Sequence, residues 1–215
     1  AREIAIECGI PVIPGSQEEG LDVDAAYAYA KDIGFPVMIK AAMGGGGRGL
    51  RIVRTEAEFK PAYERASNEA LQAFGDGRMF LEKYIENPRH IEIQILADTY
   101  GNTVHLYERD CSVQRRHQKI IEVAPSVGIE EKTRLAMYED AKKIAKHVGY
   151  VNAGTVEFML APDGQHYFLE VNPRVQVEHT ITEEITGVDI VQSQILIATG
   201  SSLADIGIQS QEAVR

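Results

Sequence analysis

Cysteine is scarce: only Cys8 and Cys111 occur in 215 residues, far apart and without metal-ligand spacing. They read as reduced thiols in a cytosolic or organellar-matrix protein. Long apolar runs are missing, so no transmembrane helix is expected. No signal peptide is recognisable either. The opening residues, Ala1 to Ile6, read as the middle of a helix, so the chain is expected to be a piece of a longer protein. Positive charge is in deficit: 22 Lys and Arg against 32 Asp and Glu give a net charge of −10. That argues against a general nucleic-acid binder, which is usually basic, but leaves room for a local basic pocket. Internal repeats and low-complexity segments are absent. The overall composition, 44% hydrophobic and 25% charged, is ordinary for a soluble globular protein. The length allows one large domain or two small ones.

Two familiar phosphate motifs are also lacking. The run Gly44, Gly45, Gly46, Gly47, Arg48, Gly49 has no Gly-Lys-Ser/Thr to close it as a Walker-A loop. It does not open a helix as a dinucleotide fingerprint would, because Leu50 to Val53 reads as a strand. Another strand-like run, Phe35 to Ile39, precedes it and ends in Lys40. Consecutive glycines cost conformational entropy and add nothing to a core. They do expose backbone N–H groups that can approach a ligand closely. Flanked by Lys40 and Arg48, the natural ligand is a polyphosphate, and the run reads as a flap that is mobile without nucleotide. The plain alternative is a flexible loop.

Asp22 to Ile33 has helical spacing and stops at Gly34. Thr55-Glu56-Ala57-Glu58 reads as a capping box opening a helix to about Phe74. Arg78 to Tyr84 reads as a strand. In the second half, Ile91, Ile93 and Ile95 alternate with Glu92 and Gln94, which predicts a half-buried strand. Thr103 to Glu108 returns after a turn over 98–102. Glu130 to Val148 and Gly187 to Thr199 read as helices, and Gly154 to Val171 as a hairpin. The organisation expected is a connecting helix over 1–11, a small α+β subdomain over 12–84 and a larger one over 85–215.

Four constellations carry chemistry. If Leu160 faces Gln165 in the hairpin, Glu157 faces Phe168, and Glu170 lies diagonally on the same face, about 7–8 Å away. With Asn172, these carboxylates suit a hard cation held with substrate phosphates; a solvated sheet face is the alternative. If residues 172–179 are extended, Asn172, Arg174, Gln176 and Glu178 share one face. Such a row could hold a small anion beside a general base, or be an amphipathic edge strand. The cluster from Arg109 to Lys119 reads as a local anion site. No aromatic residue interleaves it, which argues against nucleic acid, and His117 and Lys119 share a face if it is extended. Glu82 could accept from an adenine amino group with Ile85 on the ring, although Glu82-Lys83 alone reads as a surface charge pair. His90 alone reads as structural.

These segments, in this order, resemble the ATP-grasp core of biotin carboxylases. The resemblance is carried by Ile39 to Ala42 with the glycine run, Glu82 to Glu92, Glu108 to Lys119, Gly154 to Phe158 and Leu169 to Glu178. It covers nearly all of the chain, and the Glu108–Lys119 motif is highly specific. His105-Leu106-Tyr107 and His179 to Thr186 are similar to the branch found in pyruvate carboxylases.

The resemblance implies an α+β ATP-grasp fold, with a small lid subdomain and a larger antiparallel-sheet subdomain. It implies a ligase in which ATP converts bicarbonate to carboxyphosphate, whose CO₂ carboxylates biotin. It assigns Lys40, Gly44, Gly45, Gly46, Gly47, Arg48 and Gly49 to the phosphates. Glu82, Lys83, Ile85, His90, Gln114 and His117 go around the nucleotide. Glu157, Glu170 and Asn172 hold Mg²⁺ or Mn²⁺. Lys119, Arg174, Gln176 and Val177 hold bicarbonate, Glu178 is the base, and Arg174 steadies the biotin anion. The implied partners are ATP, bicarbonate and a biotinyl carrier domain outside this chain, with neither nucleic acid nor membrane. The parent protein would be a homo-oligomer in cytoplasm or mitochondrial matrix. Measured against the family, flanking subdomains are outside these residues, so weak nucleotide binding and little biotin carboxylation are expected of the chain alone. Rival readings are an acyl-CoA carboxylase, an ATP-grasp ligase that activates a carboxylate for an amine, and a non-catalytic nucleotide-sensing module.

Overall fold

The computed structural model describes residues 1–16, 20–43, 49–116, 118–208, 210, 211 and 214. They form two compact units: Ile13–Glu86, and Ala1–Val12 together with Asn87–Arg215.

The Ile13–Glu86 unit is a three-stranded antiparallel sheet with two helices. Helix α2 (Val23–Ile33) follows α1 (Arg2–Glu7) of the other unit in chain order. It starts where Asp22 Oδ1 accepts from the N–H groups of Asp24 and Ala25 at 2.9 and 2.8 Å, satisfying donors the helix cannot. Strand β1 (Val37–Ala41) lies between β2 (Leu50–Val53) and β3 (Met79–Lys83). The two-residue period of β1 buries Val37, Ile39 and Ala41 against α2 and α3 (Glu56–Phe74), where Phe59, Tyr63 and Ala66 complete the core. Thr55 is the N-cap of α3 as expected, but its side chain makes no capping bond. The expected capping box is therefore corrected to a backbone contact, Glu58 N to Thr55 O at 3.3 Å.

The larger unit is a five-stranded antiparallel sheet, in spatial order β6 (Gln118–Val123), β5 (Thr103–Arg115), β4 (Arg89–Ala97), β7 (Asn152–Leu160), β8 (His166–Asn172). Ile91, Ile93 and Ile95 of β4 pack with Met137, Tyr138 and Ala141 of α4 (Glu131–His147). Leu96 packs with Leu106 and with Ile190 and Ile197 of α6 (Ile190–Ala198). Helix α5 (His179–Thr186) precedes α6 and ends at Gly187.

Strand β4 is thus covered on both faces. Glu92 and Gln94 are 0% exposed, which corrects the half-buried strand expected from the alternation. Carboxylate and amide groups there need internal partners, because burying them unpaired is costly.

Candidate active site

The hairpin β7–β8 carries the expected carboxylates in a different register. Leu160 faces His166, and Phe158 faces Phe168; a bulge at Leu169 then brings Glu157 directly opposite Glu170. The diagonal pairing expected from a shorter turn is corrected. The turn is one residue longer, and the bulge adds another, so the face is kept while the pair moves closer. Asn172 Nδ2 donates to Glu157 Oε1 at 2.9 Å and reaches Glu170 Oε1 at 3.4 Å.

Beyond Asn172 the chain turns. Arg174 N–H donates to Asn172 O at 2.8 Å, and His179 N–H to Gln176 O at 3.2 Å. The extended row Asn172, Arg174, Gln176, Glu178 is therefore corrected: strand pairing ends at Asn172, and Glu178 is the N-cap of α5. The turn still gathers several of these groups. Gln176 is 7% exposed and its Nε2 donates to Glu157 Oε1 at 3.3 Å. Its Oε1 is buried without a hydrogen-bond partner among the described residues. Val177 is 91% exposed. Arg174 is exposed, with Nη2 at 3.4 Å from Asn172 Oδ1.

The motif Arg109–Lys119 runs along β5 and turns at Arg116 into β6, with Gln114 opposite Lys119. Its basic residues have different surroundings. Arg115 and Arg116 are exposed, whereas Arg109 is fully buried and paired with Glu92 at 2.6 Å. Lys119 is the focus of the site. Its Nζ contacts Glu92, Glu157 Oε1 at 3.1 Å and Glu178 Oε1 at 2.5 Å. His90 Nε2 approaches Glu157 Oε2 to 2.8 Å without the alignment of a hydrogen bond, while Nδ1 is 3.2 Å from Gln114 Nε2.

Charge pairing governs ionisation here. Burial alone would raise the pKa of Glu157, but His90 and Lys119 outweigh it and hold the carboxyl down at about 2. Burial likewise opposes the charge of Glu178, and Lys119 beside it keeps its pKa below the usual carboxylate value. Burial would lower the pKa of Lys119, yet Glu92 and its fellow carboxylates raise it. The cluster therefore presents an ionised carboxylate, Glu178, against a firmly protonated ammonium.

In the Ile13–Glu86 unit, Lys40 Nζ pairs with Glu82, and Lys83 Nζ donates to the carbonyls of Gly34 and Phe35 at 2.8 and 3.1 Å. Ile85 is half-buried. Gly49 has φ 77° and its carbonyl accepts from Ala41 N–H at 2.9 Å. Gly44, Gly45, Gly46, Gly47, Arg48 and His117 lie outside the described residues, and with them the expected mobility of the flap.

Sequence reasoning passed over Glu92, Gln94, Thr155 and Thr182, and read Arg109 only as part of a basic run. All five are buried and meet in one hydrogen-bonded group. The available signal was polar residues at the two-residue period inside isoleucine-rich β4.

Residues 1–206 match the family described as carbamoyl-phosphate synthase L chain, ATP binding domain. The chain belongs to this family, and its fold is the α+β ATP-grasp fold of biotin carboxylase domains. Within it the resemblance is to pyruvate carboxylases. The enzyme of Schizosaccharomyces pombe is 58% identical over 97% of this chain, and that of Bacillus subtilis 60% identical over 94%. The chain spans 18% of the length of each. A biotin carboxylase domain of Hydrogenobacter thermophilus 2-oxoglutarate carboxylase, in complex with MgADP, ADP and bicarbonate, is 52% identical with a TM-score of 0.82. That match covers 100% of this chain and 46% of the other.

Proposed function

We propose that this chain supplies the ATP-grasp part of a biotin carboxylase, which uses ATP and bicarbonate to carboxylate biotin within a pyruvate carboxylase. The observation that carries the reading is Lys119 held among Glu92, Glu157 and Glu178, with Gln176 Nε2 on the same Glu157 oxygen and Gln176 Oε1 buried without a partner among the described residues. A buried acceptor without a partner among the described residues calls for a polar ligand beside it, and bicarbonate is a small polar one. The Hydrogenobacter relative's complex with MgADP and bicarbonate supports the same ligands here.

In this reading Lys119, Arg174, Gln176 and Val177 hold bicarbonate. Glu178 takes its proton, and Lys119 stabilises the ionised form of that base. Arg174, exposed at the edge of the site, steadies the anionic form of biotin. Lys40, Gly44–Gly49, Glu82, Lys83, Ile85, His90, Gln114 and His117 bind ATP. Residues 12–84 act as the lid subdomain and 85–215 as the core. Residues 1–11, packed into the larger unit through Ala5, Cys8 and Ile10, are its connecting helix.

Glu157, Glu170 and Asn172 fit Mg²⁺ or Mn²⁺. Glu157 and Glu170 are hard oxygen donors facing each other across the hairpin, Glu170 is exposed, and the low pKa of Glu157 keeps it charged; Asn172 would serve through Oδ1, which lies 3.4 Å from Arg174 Nη2. Such an ion, when bound, would neutralise charge on the phosphate oxygens during transfer. The biotinyl carrier domain and further copies of the parent protein are the proposed partners, and cytosol or mitochondrial matrix is the proposed location. Among the described residues no helix is long and apolar enough to cross a membrane.

The test is Glu178→Gln in the intact parent protein. Bicarbonate-dependent ATP cleavage should fall by about 10²–10⁴-fold, the usual worth of a general base, with ATP binding retained. Unchanged cleavage would overturn the reading.

A further inference from the structure

Arg109 sits inside β5 with its side chain fully buried. Its Nε donates to Glu92 Oε1 at 2.6 Å, Nη1 donates to Gln94 Oε1 and Thr182 Oγ1 at 2.8 Å each, and Nη2 to Thr155 Oγ1 at 3.3 Å. One guanidinium thus joins β4, β5, β7 and α5.

Two of these partners lead to the reacting groups. The other oxygen of Glu92 is bound by Lys119. Thr182 lies on α5 four residues after its N-cap, Glu178, so the two share a face one turn apart. Lys119 and Glu178 are themselves joined at 2.5 Å. Hydrogen bonds thus run from Thr182 through Arg109, Glu92 and Lys119 to Glu178, and one helical turn separates the two ends.

A buried ion pair is a poor stability device, because desolvation cancels much of its attraction and apolar side chains fill the same space as well. What apolar side chains cannot do is fix the direction of a carboxylate and the rotation of a helix together. The rigid planar fork of arginine can.

We propose that Arg109 is a positioning residue that sets Lys119 against Glu178, through Glu92 on one side and Thr182 on the other. This rests on the roles given to Lys119 and Glu178 above. Arg109 acts on the proton-transfer step and leaves ATP affinity alone.

The experiment uses the intact parent protein with Thr182→Val, Thr182→Ser, Glu178→Gln and the double variant Thr182→Val/Glu178→Gln. Thr182→Val removes one acceptor of a charged donor and keeps the shape. It should lower kcat for bicarbonate-dependent ATP cleavage about tenfold, as expected for loss of one charged hydrogen bond, with KM for ATP unchanged. Thr182→Ser, which keeps the hydroxyl, should stay within about twofold of the wild type on the same grounds. In the Glu178→Gln background Thr182→Val should cause no further loss, since groups acting as a unit are not additive. An unchanged kcat in Thr182→Val, a rise in KM for ATP, a tenfold loss in Thr182→Ser, or a full multiplicative loss in the double variant would each overturn the proposal. A Glu178→Gln protein with wild-type cleavage would instead overturn the functional reading beneath it.

Discussion

Glu92 divides its two oxygens between Arg109 and Lys119 while fully buried. Nothing in its local sequence marks it, since any glutamate in an alternating strand would normally face water. Its surroundings are Arg109 of β5 and Lys119 of β6, residues far from it in the chain. His105 has a comparable hidden history. Its ring stacks on Tyr138 at 3.9 Å, and its backbone N–H donates to Gln211 Oε1 at 2.9 Å. Burial, with a smaller push from Lys142, lowers its pKa from 6.5 to about 4. The unfolded chain therefore binds more protons than the folded one between these values. The stability from keeping the ring neutral is complete above pH 6.5 and is lost as pH falls towards about 4. The loss is on the order of 3 kcal/mol when complete. Urea midpoints at about pH 7 and about pH 5 should fall more for the wild type than for His105→Gln; equal falls would count against the assignment.

At the level of elements, turns and registers carry the information that residue patterns do not. The β1–β2 connection closes where Gly49 takes φ 77° and an added Cβ would lie 2.8 Å from Ala41 Cβ. Gly49→Ala should destabilise the Ile13–Glu86 unit by about 1–3 kcal/mol, read as a lower urea midpoint; no change would show that β1 and β2 can separate there at little cost. Most strands and helices were legible from periodicity and caps, but β6 and α5 were not, and β5 runs on to Arg115 past the expected Glu108. The hairpin register was not legible either, because a longer turn and the bulge at Leu169 each shift pairing by one residue without altering the alternation. The row from Asn172 to Glu178 failed for a related reason. Pro173 and the polar residues after it suit an extended strand and a turn alike, and the bond from Arg174 N–H to Asn172 O at 2.8 Å selects the turn.

At the scale of the molecule, each unit has a core of its own. Phe59, 0% exposed, centres the smaller one and lies 5.8 Å from the stacked ring of Tyr63. Phe59→Ala should cost that unit about 3–5 kcal/mol. Amide exchange at Ile93 and Ile95, in the core of the larger unit, should stay as slow as before; an equal loss of protection there would mean the two units unfold together. The glycine run, the carboxylate hairpin, the row from Asn172 to Glu178 and the Glu108–Lys119 motif carried the resemblance to the family, and that resemblance nominated Lys119, Glu157, Gln176 and Glu178. These signals are local: residue type and short-range period survive without knowledge of the fold. Which carboxylate meets which cation is a different matter. Arg109 finds Glu92 across 17 positions and Lys119 finds Glu178 across 59. Only the sheet order and the packing of α5 bring such distant groups within hydrogen-bond reach, so only the tertiary structure could decide that Arg109 is buried, that Glu92 is shared, and that Lys119 stands among three carboxylates.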